Sequence, residues 1–416
     1  MRKNNYIFSL SIIGILYFIF GFVTWLNSLL IPFLRTACEL SDSQAYFVTF
    51  AFYISYFVMA IPSSRILKST GFAKGMSIGL MVMAIGALCF IPAALGRNYA
   101  VFLIGLFVMG TGLSLLQTAA NPYITILGPI ESAAKRMSVM GLFNKIAGIV
   151  GILGFGSILF SNMETLNSEI MNLSGMAKAA ALDTLTHRLV VPYVVMAVVL
   201  ISLSFMILLA HLPKVEEENE DSDKSGKDKR SIFRIPYLWI GIAALFLYVG
   251  VEVIAIDTLG LYAITQGISP EIAPKLGSYS LIALTIGYIV GIILVPKHIS
   301  QSKALIYSAL LGIAFAVTAL CTSGTASIVF IILLSFAHAM MWPGIWPLAI
   351  DKLGHHTALA SAFLIMAIAG GAVLPLLYGL WADCIGDRQI PYLMLLPCYL
   401  FILFFAAKGH KIGKLK

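Results

Sequence analysis

Charge is what this sequence has least of. Only 11% of its 416 residues are Asp, Glu, Lys or Arg, against about 25% in soluble globular domains. A chain this long cannot cover a water-facing surface from so small a supply. Cysteine is also scarce. The five (Cys38, Cys89, Cys321, Cys384 and Cys398) are scattered, and no two stand at metal-ligand spacing. That argues against a thiolate metal centre or a disulfide framework. Cys38 and Cys384 both fall near outside helix ends and could meet, but apolar filling is the simpler reading. No G-x-x-x-x-G-K-[ST] run occurs, and no soluble stretch could house a nucleotide site. ATP hydrolysis by the chain itself is thereby excluded.

Apolar residues, at 60%, are what it has most of. They come in blocks long enough to cross a bilayer, which takes roughly 20 residues. In chain order the blocks are 6–34, 44–67, 73–95, 99–127, 137–160, 189–210, 236–265, 276–297, 303–321, 325–350, 357–381 and 389–407. They are numbered here as helices 1 to 12. Most contain Gly or Pro, which membrane helices tolerate because neighbours re-satisfy the freed backbone groups. The first block has no small-residue cleavage site after it and reads as a retained helix rather than a signal peptide.

The net charge of +8 invites a nucleic-acid reading, which its distribution removes. Place the N-terminus in the cytoplasm. Of the 27 basic residues, the outside segments then hold only Arg35, Arg97, Lys178, Arg188, Lys275 and Arg388, and Lys145 lies within a helix. The rest fall inside, so the charge reports topology and puts both termini in the cytoplasm. Residues 211–231 hold seven acids and five bases and cannot bury a core. They divide the chain into an N-terminal bundle (1–210), a charged cytoplasmic linker (211–231) and a C-terminal bundle (232–416). The longest outside segment, 161–188, predicts a short surface helix before helix 6.

The halves echo each other. Gly21 to Ser28 (GFVTWLNS) on helix 1 aligns with Gly250 to Asp257 (GVEVIAID) on helix 7, and Gln117 to Pro122 on helix 4 aligns with Trp342 to Pro347 on helix 10. Ser55 to Val58 on helix 2 aligns with Gly287 to Val290 on helix 8. Internal repeats of this kind mark secondary transporters, whose sites lie near mid-membrane at the repeat interface.

The stretch from Gln117 to Gly128 (QTAANPYITILG) resembles helix 4 of the fucose–proton symporter family of the major facilitator superfamily, and the resemblance covers essentially the whole chain. Arg65 to Lys74 looks like a degenerate form of that superfamily's helix 2–3 loop. Phe143 to Gly148, Tyr248 to Val253, Met341 to Ile350 and Leu364 to Gly371 look closest to the bacterial N-acetylglucosamine, glucose and galactose permease branch. The resemblance implies an all-α membrane protein of twelve transmembrane helices in two pseudo-symmetric six-helix bundles. It also implies an inner-membrane carrier that works as a monomer, is no enzyme and needs no cofactor. Its partners would be the lipid bilayer and a sugar, not nucleic acid. The expected activity is import of a neutral monosaccharide by alternating access: N-acetylglucosamine, or a hexose such as glucose, galactose or fucose. The coupling cation would be H+, with Na+ as the alternative. A transporter-fold nutrient sensor and an exporter are the competing readings. The fucose type carries acids, implicated in coupling and sugar binding, where this chain has Ser28 and Gln117, so neither role transfers as it stands.

Charge at membrane depth costs several kcal/mol unless paired or wetted, so each such group needs a reason. Lys145 on helix 5 and Glu252 and Asp257 on helix 7 are the candidates for ion coupling. The two acids are five residues apart, about 140° around the helix, so they cannot line one strip of wall. Asp257 matches Ser28 by the repeat, which favours it as the coupling carboxylate; a structural ion pair of Lys145 with either acid is the alternative. Asn27, Gln117, Asn121 and Asn144 offer amides that can re-pair desolvated sugar hydroxyls, and Gln117 and Asn121 share one face at i and i+4. On helix 10, His338, Trp342 and Trp346 fall at i, i+4 and i+8, a stripe whose indoles suit the apolar face of a pyranose. Packing is the other reading of each.

Overall fold

The computed structural model describes residues 3–126, 133–209, 232–295, 297–351, 353 and 357–413, without the side chains of 3–10, 68, 121–126, 133–138, 357 and 358. The charged stretch 211–231 therefore lies outside the described residues. Among those described there is no strand. Among the described residues twelve helices are long and apolar enough to cross a membrane. They are helix 1 (Ser11–Ala37), 2 (Asp42–Leu67), 3 (Phe72–Leu95), 4 (Tyr99–Ala120), 5 (Val139–Leu159), 6 (Gly175–Leu209), 7 (Pro236–Asp257), 8 (Ala273–Leu294), 9 (Gln301–Cys321), 10 (Gly324–Ile350), 11 (Leu359–Ile385) and 12 (Ile390–Lys411). Where one short surface helix is expected at 161–188, two helical segments occur: Met163–Asn172, which stands alone, and Gly175–His187, which leads through a turn at Arg188 and Leu189 into Val190–Leu209 and so forms the first part of helix 6. Extended backbone at Leu173 and Ser174 and a positive φ at Gly175 separate them.

Small residues decide how closely the helices pack. A Cβ on Gly79 would lie 2.8 Å from the Gly112 carbonyl oxygen, and one on Gly86 the same distance from that of Gly105. Helices 3 and 4 therefore meet backbone to backbone, the contact that membrane helices use where no hydrophobic driving force joins them. Helices 1 and 5 do likewise: a Cβ on Gly21 would collide with the Asn144 carbonyl oxygen.

Several helices are interrupted, and local hydrogen bonding explains three of the breaks. In helix 1 the Ser28 hydroxyl donates to the Trp25 carbonyl at 2.7 Å, and the Leu29 N–H turns to Leu26 instead. Helix 1 accordingly divides into Lys3–Trp25 and Asn27–Ala37. In helix 7 the Thr258 hydroxyl donates back to the Ile254 carbonyl at 2.7 Å, a bond that bends helices, and the next segment begins at Leu259. In helix 10, Pro343 has no N–H to give the Ala339 carbonyl. The helix divides there into Gly324–His338 and Met341–Ile350. The stripe His338, Trp342 and Trp346 is thus not one unbroken helical face, which corrects the sequence expectation. Helix 11 narrows to a 3-10 turn at Ala367–Ala369.

One end of the molecule is sealed between helices 1 and 2 and helices 11 and 12. Asp42, 5% exposed, takes the Arg35 Nε at 2.6 Å and the Arg388 Nη2 at 2.7 Å, and its other oxygen takes the Arg388 Nε. Asp383 accepts from the backbone N–H groups of Asp42 and Ser43 at 2.9 and 2.7 Å. Tyr46 packs edge-on against Tyr378, whose hydroxyl donates to the Arg388 carbonyl. Burial opposes the charge of Arg388, yet hydrogen bonds and charge from Asp42 leave its guanidinium holding its proton more tightly than usual. Along helix 2 the stripe that buries Tyr46 and Tyr53 against helix 11 continues to Phe57 and Ile61, which are 52% and 44% exposed.

Candidate functional site

The buried polar groups gather around the interruptions of helices 1 and 7. Trp25, the residue before the helix 1 break, is 3% exposed. Its Nε1 donates to the Asn144 Oδ1 at 3.2 Å, and its ring lies 4.3 Å from the Lys145 Nζ. The indole fits because helix 5 has Gly148 opposite it, where a Cβ would stand 2.5 Å from Trp25 Cδ1. The Lys145 Nζ reaches the Glu252 Oε1 at 3.5 Å, with both residues 8% exposed. That separation makes a charge pair rather than an aligned hydrogen bond, and the Glu252 Oε1 has no hydrogen-bond partner. The pair joins helix 5 to helix 7.

Asp257 faces elsewhere, as the 140° between it and Glu252 requires. It is 1% exposed, its Oδ2 accepts from the Thr49 hydroxyl on helix 2 at 3.3 Å, and its Oδ1 has no partner. Among the described residues no basic group pairs with it.

The aromatic wall is on helices 7 and 10. Trp342 and Trp346 stack with ring centres 5.3 Å apart, and Tyr248, one turn before Glu252, lies 6.4 Å from Trp342 and 6.3 Å from His338. His338 is fully buried, its Nε2 2.7 Å from the Tyr399 hydroxyl on helix 12. Its Nδ1 is unpartnered. Trp342 and Trp346 are partly exposed.

The amides are distributed over separate places. Gln117, half-buried, donates from Nε2 to the Tyr56 hydroxyl at 3.0 Å, and Tyr56 stacks on Tyr53. Asn27 is 1% exposed with its Nδ2 unpartnered. Asn144 is tied to Trp25. The side chain of Asn121 lies outside the described residues. The structure thus brings Asn144, Lys145 and Glu252 into one chain of contacts, and Trp342, Trp346 and His338 around Tyr248. Gln117 and Asp257 make their own contacts with helix 2. Sequence reasoning passes over Trp25 and Thr49. For Trp25 a signal exists, since it sits inside the helix 1 stretch that echoes helix 7.

Comparisons with known proteins bear on what this arrangement serves. A family model described as Major Facilitator Superfamily matches residues 13–375. A glucose/galactose transporter of Brucella abortus is 32% identical over 98% of this chain and 96% of its own. The L-fucose-proton symporter of Escherichia coli is 28% identical over 97% of this chain and 94% of its own. A crystal structure of a transporter of that superfamily, FucP, in the outward conformation superposes with a TM-score of 0.76. It is 28% identical and covers 97% of this chain and 99% of its own.

Proposed function

The chain belongs to the Major Facilitator Superfamily and, within it, to the fucose–proton symporter family, and from that premise we propose that it imports a neutral hexose together with a proton. It is a multi-pass membrane transporter and not an enzyme. The relatives named for glucose, galactose and L-fucose support a monosaccharide substrate, with N-acetylglucosamine a further candidate, and those named as proton symporters favour H+ over Na+. The proposed organisation is the two-bundle one, 1–210 and 232–416 joined by 211–231, working as a monomer in the inner membrane. Both termini are in the cytoplasm, which makes the end sealed at Asp42 the external one.

One observation carries the mechanism: helices 5 and 7 bury three charged side chains, Lys145, Glu252 and Asp257, and among the described residues only the first two pair. Lys145 and Glu252 neutralise each other. Asp257 is a carboxyl without a cation, so a proton there removes a charge whose burial costs several kcal/mol. It then works as the carrier of the coupling proton, and Thr49, on helix 2, senses its state from the other half. Gln117, Asn121, Asn27 and Asn144 re-pair the sugar hydroxyls, and Trp342 and Trp346 offer a flat apolar surface to the ring. Either step of alternating access then exposes the same set to one side.

The test is the purified chain in proteoliposomes. Asp257→Asn is expected to keep sugar counterflow and to lose uphill accumulation driven by a pH gradient. Glu252→Gln losing it instead would move the coupling role to Glu252. Full gradient-driven uptake by both variants sinks the carboxylate mechanism, and dependence on sodium with indifference to pH would recast the acids as ion ligands. Absence of any flux with intact sugar binding would favour the sensor, and transport of amphipathic cations without sugar the exporter.

A further inference from the structure

We infer that Trp25 is a positioning residue that holds both the sugar-facing amide of Asn144 and the ammonium of Lys145; the inference rests on the reading of that site as a proton-coupled sugar site. Three contacts converge on one residue, two of them on its indole. Its N–H fixes the Asn144 side-chain oxygen Oδ1 at 3.2 Å, which turns the two N–H donors of Nδ2 away from Trp25 and frees them for a ligand acceptor. Its face lies 4.3 Å from the Lys145 nitrogen, a seat that attracts a cation without supplying a charge. Its backbone carbonyl accepts from Ser28 across the helix 1 break. The room is built for it, since Gly148 has no side chain to occupy the place of the ring.

The consequence is a lysine with two neighbours of different kinds. Glu252 holds it by charge at 3.5 Å, and Trp25 holds it by the quadrupole of a neutral ring. When helices 5 and 7 separate during transport, the ammonium is not left bare, because Trp25 stays with helix 1 beside helix 5. The distance of Lys145 from the helix 7 carboxylates sets the pH at which they load. Trp25 therefore controls two observables by two parts of its side chain: sugar affinity through its N–H, and the pH profile through its ring face. The other titratable groups around the pair are Tyr248 and Asp257 on helix 7, Tyr53 on helix 2, Tyr288 on helix 8 and His338 on helix 10, and none of them is altered in the variants used.

The variants separate the N–H from the ring face. Trp25→Phe keeps a ring for the ammonium and deletes the N–H. It is expected to raise the KM for glucose or galactose about fivefold, the loss of one hydrogen bond, with the maximal rate and the pH profile of uptake unchanged. In Asn144→Ala the further change Trp25→Phe is expected to add nothing to KM. Trp25→Leu and Trp25→Met delete both the N–H and the ring and are expected to raise KM equally and also to displace the pH optimum by about a unit or more. A KM unchanged in Trp25→Phe overturns the assignment, and so does additivity with Asn144→Ala. A pH profile already displaced in Trp25→Phe overturns the seat for Lys145, and that result stands even if neither aliphatic variant reaches the membrane. Wild-type chain that moves no neutral sugar would instead remove the functional reading, whereas normal wild-type transport with a normal Trp25→Phe variant removes only this assignment.

Discussion

Single residues carry the clearest chemistry. The Lys145–Glu252 pair is buried on both sides, and removing one partner of such a pair leaves a charge alone at a cost of about 3–5 kcal/mol. Lys145→Met is therefore expected to melt well below wild type in detergent, and Lys145→Met with Glu252→Gln to recover much of the difference. A double variant no more stable than the single one would mean that the pair contributes little. Gln117→Ala removes an amide that already gives one N–H to Tyr56. It is expected to weaken hexose binding by roughly 1–3 kcal/mol while leaving thermal unfolding nearly unchanged, and unchanged affinity by titration calorimetry would return Gln117 to packing. The charged members of the site are legible in the sequence because charge is rare within apolar blocks. Thr49 is not, since a hydroxyl is ordinary in membrane helices, and Trp25 is marked only by its place in the stretch of helix 1 that echoes helix 7. What distinguishes them is a partner 119 residues away for Trp25 and 208 for Thr49, and no local pattern encodes that.

Helices are the level at which sequence and structure agree most closely, since each of the twelve apolar blocks overlaps one membrane-length helix in the same order. Length and hydropathy suffice for that, because a helix satisfies its own backbone in lipid whatever its neighbours do. The interruptions need more. Only the one in helix 10 has a proline to announce it; those at Leu26 and Thr258 arise from hydroxyls that compete for backbone carbonyls. How tightly helices approach is likewise a property of pairs. Gly370 on helix 11 would collide through a Cβ with the Phe246 carbonyl oxygen on helix 7, whereas a Cβ on Gly154 of helix 5 meets nothing within 4 Å. Gly370→Ala is expected to destabilise by about 1–3 kcal/mol. Gly154→Ala should be neutral or gain up to about 1 kcal/mol from helix propensity. Thermal melts of the two variants decide, and equal destabilisation would deny that helices 7 and 11 depend on this contact.

For the whole molecule the decisive feature is the end sealed by Arg35, Asp42 and Arg388. Arg388 holds its proton firmly, so this closure yields to movement and not to loss of the guanidinium charge. A sugar arriving from that end finds its site only in molecules that have opened there. If one molecule in ten is open, apparent affinity is about tenfold weaker than the site itself would give. Arg388→Ala touches no proposed sugar ligand, yet by favouring the open form it is expected to tighten apparent binding from that end severalfold and to slow the return step of transport. Equilibrium binding set beside exchange rates would show both, and binding unaltered in this variant would mean that the seal does not limit access. How strongly this carrier holds its cargo is then written partly in residues that never meet the cargo. A weak measured affinity would describe the rarity of an open door as much as the quality of the seat behind it.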